Sequence, residues 1–249
     1  MKIRVINPNT SAAMTAKIGA AARAVAAAGT AIEAVNPSFG PASIEGHHDD
    51  VWAAAGVTEQ VREGEAGMGQ NRADAYVIAC FGDPGLHAAR ELARGPVIGI
   101  AEAAFHAATL VATGFSVVTT LTRTCVIAEH LVLQYGFERR CRGIHGTDIA
   151  VLELEDPASN AFDRILACAQ DALVRDRSGA IVLGCAGMAD LCHMLQQRLG
   201  VPVIDGVGAA VKLAEGLVSL GLSTSKRGDY ATPLVKDYGG FAAPFSPGR

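Results

Sequence analysis

Short runs of β-branched residues alternate with longer amphipathic stretches rich in alanine and leucine, and this pattern predicts an α/β fold with mostly parallel sheets flanked by helices. The predicted strands are Ile3–Ile6, Ala31–Val35, Tyr76–Ala79, Val97–Ile100, Phe115–Val118, Ile149–Leu152, Ile181–Leu183 and Val201–Ile204. The predicted helices are Ala12–Ala28, Val51–Arg62, Leu86–Ala93, Arg123–Gln134, Phe162–Val174, Met188–Leu199 and Gly208–Leu220. The segment Asn36–Asp50 is rich in Pro, Gly and Ser and is expected to be a long loop.

Two segments of the chain are similar to each other. Val77–Gly82 is followed by a predicted helix and then by Gly95–Gly99, and Ile181–Gly187 is followed by a predicted helix and then by Val201–Gly206. The interval from the cysteine to the proline is 16 residues in the first copy and 17 in the second. An internal repeat of this kind predicts two α/β lobes related by a pseudo-twofold axis.

The repeat also suggests how the chain is divided. We expect a first lobe at residues 1–100 plus 207–222, a second lobe at 101–206, and a loosely attached C-terminal tail at 223–249. Upstream in each copy, a strand ends in a polar turn, Asn7–Ser11 in one and Thr119–Thr122 in the other. Because open α/β sheets bind ligands at the carboxyl ends of their strands, the active site is expected between the two lobes.

Composition narrows the class of protein. Half of the 249 residues are hydrophobic and the formal net charge is −4, so the sequence lacks the basic character of nucleic-acid or anionic-membrane binding proteins. No apolar run has the length of a membrane span, and the N-terminal apolar run is interrupted within a few residues, unlike a secretory signal. The six cysteines contain no C-x-x-C pair, which argues against a zinc knuckle. We therefore expect a cytoplasmic protein with free thiols.

Each copy of the repeat places a cysteine, Cys80 or Cys185, in the turn at the carboxyl end of a buried strand. There the thiol is expected to face a helix N-terminus, which would favour the thiolate and lower the thiol pKa. Gly82 and Gly187 follow two residues later and let the backbone approach a ligand closely. Two equivalent thiols suit racemisation, in which one base removes a proton from a carbon and an acid on the opposite face returns one. A single catalytic cysteine with a histidine would instead suggest acyl transfer, for which the repeat gives no reason.

Five motifs follow one another along the chain: Ile6–Ser11, Ser43–His47, Cys80–Gly85, Val117–Thr120 and Leu183–Met188. This ordered set resembles the hydantoin racemase family, which includes allantoin racemases and belongs to the aspartate/glutamate racemase superfamily. The resemblance extends to about residue 222.

The resemblance implies racemisation at C5 of a hydantoin ring without a cofactor or metal, with Cys80 and Cys185 as the two acid/base thiols. It also implies that Asn9, Thr119 and Thr120 hold the polar edge of the ring, and that backbone N–H groups after each cysteine bind the enolate oxygen. It further implies a small-molecule substrate and a homo-oligomer. The other residues expected to contact substrate are Pro8, Ser43, Phe81, Gly82, Ala186 and Gly187.

Phe81 and Ala186 follow the two cysteines, where amino-acid racemases of the superfamily carry a hydroxyl or amide residue that holds a substrate carboxylate. This departure favours a neutral ring, with allantoin among the possible substrates. A cis–trans isomerase or decarboxylase of the same superfamily, or a non-catalytic small-molecule sensor, remains as an alternative.

His47–Asp50 is expected to be a solvated loop rather than a metal site. Asp83 either tunes Cys80 or simply belongs to a turn.

Overall fold

A computed structural model describes residues 1–67, 72–156 and 158–248. It contains two four-stranded parallel sheets, with strand orders β2-β1-β3-β4 and β6-β5-β7-β8. The strands are β1 Lys2–Ile6, β2 Ala31–Val35, β3 Ala75–Ile78, β4 Val97–Gly99, β5 Phe115–Thr119, β6 Cys141–Gly146, β7 Ala180–Leu183 and β8 Val203–Asp205. The helices are α1 Ala12–Val25, α2 His47–Ala66, α3 Leu86–Leu92, α4 Ile100–Val111, α5 Cys125–Gln134, α6 Ala161–Asp176, α7 Cys192–Leu199 and α8 Gly206–Ser219.

The two sheets have the same topology, since β1 to β4 occupy the same places in the first as β5 to β8 in the second. This confirms the predicted α/β class with two related parallel sheets. Helices α4 and α8 follow equivalent strands and pack against each other. A Cβ atom on Gly206, at the start of α8, would lie only 2.6 Å from the carbonyl oxygen of Ile100, at the start of α4. The absence of a side chain at Gly206 therefore lets the two helix starts meet. The lobe boundaries given above stay a prediction.

One hydrophobic core joins the two sheets beneath this crossing. Phe105 of α4 stacks on Phe115 of β5 with ring centroids 5.3 Å apart, and meets Phe81 edge-on at 5.6 Å. Phe105 and Phe115 are fully buried, and the same cluster includes Val77 of β3 and Val182 of β7. Aromatic side chains contribute large buried areas, so this cluster packs strands of the two sheets against each other.

The predicted strand Ile149–Leu152 is wrong. The structure has a 3₁₀ helix at Val151–Glu155, and the strand that pairs with β5 is β6 at Cys141–Gly146. β6 lies at the edge of its sheet and is half-buried, so it needs no continuous apolar run and its sequence does not resemble a strand. Ile149 and Val151 are buried, although neither belongs to a strand, and this burial accounts for the apolar run.

The expected loop Asn36–Asp50 is shorter than predicted, because α2 already begins at His47. Asp49 and Asp50 lie in the first turn of α2, where acidic side chains are favourable to the helix dipole. The Asp49 carboxylate also accepts a hydrogen bond from the Glu45 N–H at 3.0 Å. Helix α4, an alanine-rich segment after β4, is not among the predicted helices.

The C-terminal tail runs along the outer side of α2 and α3. Phe245 packs edge-on against Phe39 with centroids 6.0 Å apart, and the Pro244 carbonyl accepts a hydrogen bond from Arg62 at 2.7 Å. Tyr230 stacks on His87 of α3. Arg249, the last residue of the expected tail, lies outside the described residues. Every helix in the described part of the chain is too short or too polar to traverse a lipid bilayer.

Candidate active site

A cavity, here called the central cavity, lies where the carboxyl ends of strands from both sheets meet. The residues after β1 and β3 contribute to it from the first sheet, and the ends of β5 and β7 contribute from the second. Its described lining is Asn7, Asn9, Met14, Ile44, Asp50, Ala79, Cys80, Phe81, Gly82, Thr119, Thr120, Thr124, Ile127, Ala128, Val151, Gly184, Cys185 and Ala186. This is the position at which parallel α/β sheets present ligand-binding groups.

The cavity gathers most of the site residues that the sequence suggested. Those found in its lining are Asn9, Cys80, Phe81, Gly82, Thr119, Thr120, Cys185 and Ala186. Pro8, Ser43 and Gly187 are not among the described lining residues. In the β2–α2 connection Ile44 lines the cavity in place of its neighbour Ser43.

The two cysteines sit in turns of the same form. The Asp83 N–H donates to the carbonyl of Cys80 at 3.0 Å, and the Met188 N–H donates to the carbonyl of Cys185 at 3.1 Å. Within each turn the backbone N–H of the glycine two residues later, Gly82 or Gly187, also interacts with the cysteine sulfur. Both thiols are half-buried and both line the central cavity. The repeat seen in the sequence is therefore also a repeat of the local backbone around each sulfur.

The expectation of lowered thiol pKa values is wrong. Burial raises the pKa of Cys185 to about 11 and raises the pKa of Cys80 further, because a thiolate loses its hydration in the cavity. The glycine N–H groups oppose this effect but do not overcome it. The helix expected to stabilise the Cys80 thiolate begins only at Leu86, and Cys185 is followed by a 3₁₀ helix instead of an α-helix. Neither sulfur has an α-helix N-terminus directly behind it.

Charged groups make the surroundings of the two thiols different. The carboxylates of Asp50 and Asp83 both raise the pKa of Cys80. The ammonium of Lys17 lowers the pKa of Cys185, whereas the carboxylate of Glu45 raises it. Cys185 is therefore the more easily ionised of the two thiols.

Asn9 is held rigidly at the edge of the cavity. Its side-chain oxygen accepts hydrogen bonds from the Asn7 amide at 2.7 Å and from the Ser11 N–H at 2.9 Å. Its side-chain nitrogen is 3.4 Å from the sulfur of Met14, a weak acceptor. The Asn9 amide therefore keeps its donor capacity for a ligand, while its acceptor is used to fix its orientation.

Thr119 and Thr120 end β5 on the opposite side of the cavity. The Thr119 hydroxyl donates to the carbonyl of Gly184 at 2.9 Å, which ties β5 to the residue before Cys185. Thr120 lines the cavity and is buried. Thr119 can thus accept a hydrogen bond from a ligand, and Thr120 can donate or accept one.

Asp83 is a helix cap as well as part of a turn. Its carboxylate accepts hydrogen bonds from the N–H groups of Ala101 and Glu102 at 3.1 and 3.0 Å, and from the hydroxyl of Tyr135 at 2.8 Å. These contacts fix the Cys80 turn to the start of α4. Burial raises the pKa of Asp83 to about 7, against the effect of these three donors. The carboxylate makes the Cys80 thiolate less favourable, so its electrostatic effect opposes activation of the thiol.

Sequence reasoning missed Asp50, the one charged side chain in the described lining of the cavity. The Pro, Gly and Ser content of Asn36–Asp50 predicts a loop there, and the divergence of adjacent side chains in His47–Asp50 favours a solvated loop over a metal site. The available signal was the pair of acidic residues just after a glycine, which is typical of the first turn of a helix. Among the described residues no three His, Cys, Asp or Glu side chains form a group that could hold a metal ion.

The fold and the paired-cysteine cavity define an α/β protein of the racemase type. The family model for the Asp/Glu/Hydantoin racemases matches residues 3–214, so the chain belongs to this family and is by class an isomerase.

Among individual proteins, the chain is 50% identical over 236 residues to a hydantoin racemase of Rhizobium meliloti, covering 95% of this chain and 96% of that protein. It is 58% identical to the solved structure of an allantoin racemase from Klebsiella pneumoniae, with a TM-score of 0.95 and 99% of each chain covered. It is 42% identical to an allantoin racemase from Pseudomonas fluorescens, with a TM-score of 0.91, 96% of this chain and 100% of that chain covered. The family resemblance described from the motifs is thereby confirmed.

Proposed function

We propose that this protein racemises 5-substituted hydantoins, allantoin among them, by proton transfer between C5 and the thiols of Cys80 and Cys185. The observation that carries the proposal is that two cysteines from equivalent turns of the two sheets line one cavity. The names of the relatives support the substrate class.

The chemistry requires an acid and a base on opposite faces of C5. The C5 proton is acidic because a carbonyl next to C5 delocalises the carbanion as an enolate. A thiolate on one face removes this proton, and the thiol on the other face donates its own, which inverts the centre. Each turnover transfers the negative charge from one sulfur to the other, so the same pair can act on either enantiomer.

The polar groups around the sulfurs have roles that match this reaction. In this mechanism the Asn9 amide nitrogen and the Thr120 hydroxyl donate hydrogen bonds to ring carbonyls, where negative charge increases in the enolate. Because the Gly82 and Gly187 N–H groups interact with the sulfurs, they stabilise whichever thiolate is present. The expectation that backbone N–H groups after each cysteine bind the enolate oxygen stays a prediction.

The test follows optical rotation and isotope incorporation in deuterium oxide, starting from each pure enantiomer of allantoin and of a 5-alkylhydantoin. We expect rotation to decay to zero while deuterium enters at C5. Cys80→Ser and Cys185→Ser should each lower the racemisation rate by about 10²- to 10⁴-fold, as for loss of a general acid or base. Each variant should still exchange the C5 proton of one enantiomer, and the preferred enantiomer should differ between the two variants.

Cys168→Ser is the matched control, since Cys168 is half-buried in α6 and is not part of the cavity. It should racemise hydantoins at the wild-type rate. Retained rotation with no deuterium at C5 would refute the proposal, and so would full racemisation in both cavity variants. A covalent adduct between substrate and either cysteine, detected by mass spectrometry, would favour the cis–trans isomerase alternative instead.

A further inference from the structure

Asp50 brings a carboxylate into the central cavity beside Cys80. It is the fourth residue of α2 and is half-buried, and its Oδ1 lies 3.5 Å from the point where a Cβ atom on Gly82 would be. The sulfur of Cys80 lies 4.0 Å from the same point. The carboxylate and the thiol therefore border the same small region of the cavity, next to the open backbone of Gly82.

Among the described polar side chains of the lining, those of Asp50 and Thr120 make no hydrogen bond within the protein, and Asp50 is the charged one of the two. The side chains of Asn7, Asn9, Thr119 and Thr124 each take part in a hydrogen bond within the protein. Among the described residues none donates a hydrogen bond to the Asp50 side chain, although its backbone N–H bonds to the Gly46 carbonyl.

A carboxylate that lines a cavity loses hydration when a ligand fills the space, so binding is favourable when the ligand supplies a hydrogen-bond donor in place of water. Burial raises the pKa of Asp50, and the nearby His47 opposes this effect only in part. A bound N–H group would satisfy the carboxylate by a charge-assisted hydrogen bond. The described lining of the cavity contains no lysine or arginine, so a ligand carboxylate would meet this negative charge without compensation.

We propose that Asp50 accepts a hydrogen bond from a ring N–H of the bound substrate and thereby selects neutral rings that carry N–H groups over ligands that carry a free carboxylate. This inference rests on the proposed function, since it concerns the same ring bound between the same two thiols. Asp50 is thus a specificity-determining residue, distinct from the two thiols that transfer the proton.

The first test compares a 5-alkylhydantoin with its N1-methyl and N3-methyl derivatives on the wild-type enzyme. Methylation of the nitrogen that faces Asp50 should lower kcat/KM by about 10- to 100-fold, the usual range for a charge-assisted hydrogen bond. In Asp50→Asn the same methylation should have a much smaller effect, because the charged acceptor is already lost. If the wild-type enzyme has the same kcat/KM for both methylated rings as for the unmethylated ring, that result alone overturns the inference.

The second test measures competitive inhibition by 5-(carboxymethyl)hydantoin relative to the neutral 5-ethylhydantoin. Asp50→Asn should bind the carboxylate ligand several-fold more tightly, whereas Asp49→Asn should leave the ratio unchanged. Asp49→Asn is the matched control, because it removes the same charge from the same helical turn and keeps an acceptor for the Glu45 N–H.

The outcomes separate the two proposals. If the wild-type enzyme racemises hydantoins but Asp50→Asn responds to methylation and to the carboxylate ligand just as Asp49→Asn does, only the role of Asp50 is refuted. If Asp50→Asn lowers activity equally on methylated and unmethylated rings, Asp50 acts only on the pKa of Cys80, which also refutes it. Failure of the wild-type enzyme on every hydantoin would instead refute the proposed function.

Discussion

The two halves of the molecule stabilise the starts of their central helices with carboxylates that come from different places in the chain. In the second half Asp205, the last residue of β8, caps α8 itself by accepting from the N–H groups of Val207 and Gly208 at 3.0 and 2.7 Å. In the first half the equivalent residue, the last of β4, is Gly99. The cap of α4 comes instead from Asp83 in the Cys80 turn.

Each capping carboxylate has an uncharged residue at the matching position of the other half: Gly99 matches Asp205, and Met188 matches Asp83. The position equivalent to Asp83 in the second half is Met188, which is fully buried in an apolar cluster. A Cβ atom on Gly99 would overlap the carboxyl group of Asp83, so the small residue and the distant carboxylate belong together. The comparison teaches that the repeat conserves the physical requirement, a negative group at the helix start, and not the residue that meets it. The same exchange places an extra negative charge beside Cys80 and none at the matching place beside Cys185.

The largest expected effect on stability comes from exchanging these caps. Asp83→Ala leaves two buried N–H groups and the Tyr135 hydroxyl without their acceptor, and should lower the free energy of unfolding by about 2–4 kcal/mol. Gly99→Asp alone should also destabilise the protein, because its side chain meets the Asp83 carboxyl. In the Asp83→Ala background, however, Gly99→Asp should stabilise the protein by restoring the arrangement of the second half. Urea unfolding of the wild type, the two single variants and the double variant measures whether the effect of Gly99→Asp on the free energy of unfolding changes sign.

The pH at which these measurements are made provides a check on the role of Asp83. Its pKa is raised to about 7 in the folded protein, so its contribution is fully present below its ordinary pKa near 4 and is lost as the pH rises through 7. Asp83→Ala should therefore cost more stability at pH 5 than at pH 8. Equal destabilisation by Gly99→Asp in both backgrounds would contradict the proposed equivalence of the two caps.

A smaller effect is expected for Asp205→Ala in the second half. Asp205 is half-buried and its two hydrogen bonds are local to the first turn of α8, so its removal leaves fewer groups without a partner than the removal of Asp83 does. The loss should be about 1 kcal/mol, which is typical of removing an N-cap side chain. Asp205→Asn keeps an acceptor oxygen and should retain most of the stability. Thermal unfolding should therefore rank the variants Asp205→Asn, Asp205→Ala and Asp83→Ala in order of decreasing stability, and a larger loss for Asp205→Ala than for Asp83→Ala would contradict the comparison.

The paired cysteines could be found from the sequence because local signals define them. Val77–Ile78 and Ile181–Leu183 are apolar on both faces, as central parallel strands must be, and each is followed by a cysteine and then a glycine. Because Cys80 and Cys185 follow matching strands of the repeat, the sequence was sufficient to predict that both thiols lie at one site. The class of fold followed from the same alternation of strands and helices.

The features that were missed depend on contacts between distant segments. The edge strand β6 is half-buried and polar, so its sequence contains no strand pattern. Asp83 is a cap only because α4 and Tyr135 are folded against its turn. The raised pKa values of both thiols come from burial by residues of both sheets, which outweighs the local N–H donors that the sequence did reveal. Asp50 enters the cavity because α2 starts at His47, one turn before the apolar pattern begins.

The smallest expected effect concerns Lys17 and the difference in charge between the two thiols. Lys17 donates to the Leu154 carbonyl at 3.1 Å and pairs with Asp190 at 3.2 Å, and its positive charge lowers the pKa of Cys185. Lys17→Met should raise that pKa, so alkylation of Cys185 by iodoacetamide at a fixed alkaline pH should slow a few-fold, and the pH profile of racemisation should shift to higher pH. Stability should change by less than about 1 kcal/mol, because Asp190 is half-exposed and such pairs contribute little. Lys17→Arg keeps the charge and should keep the reactivity, and Cys80 serves as the internal reference in each peptide map. If Cys185 reacts as fast in Lys17→Met as in the wild-type protein, the electrostatic difference between the two sulfurs does not arise from Lys17.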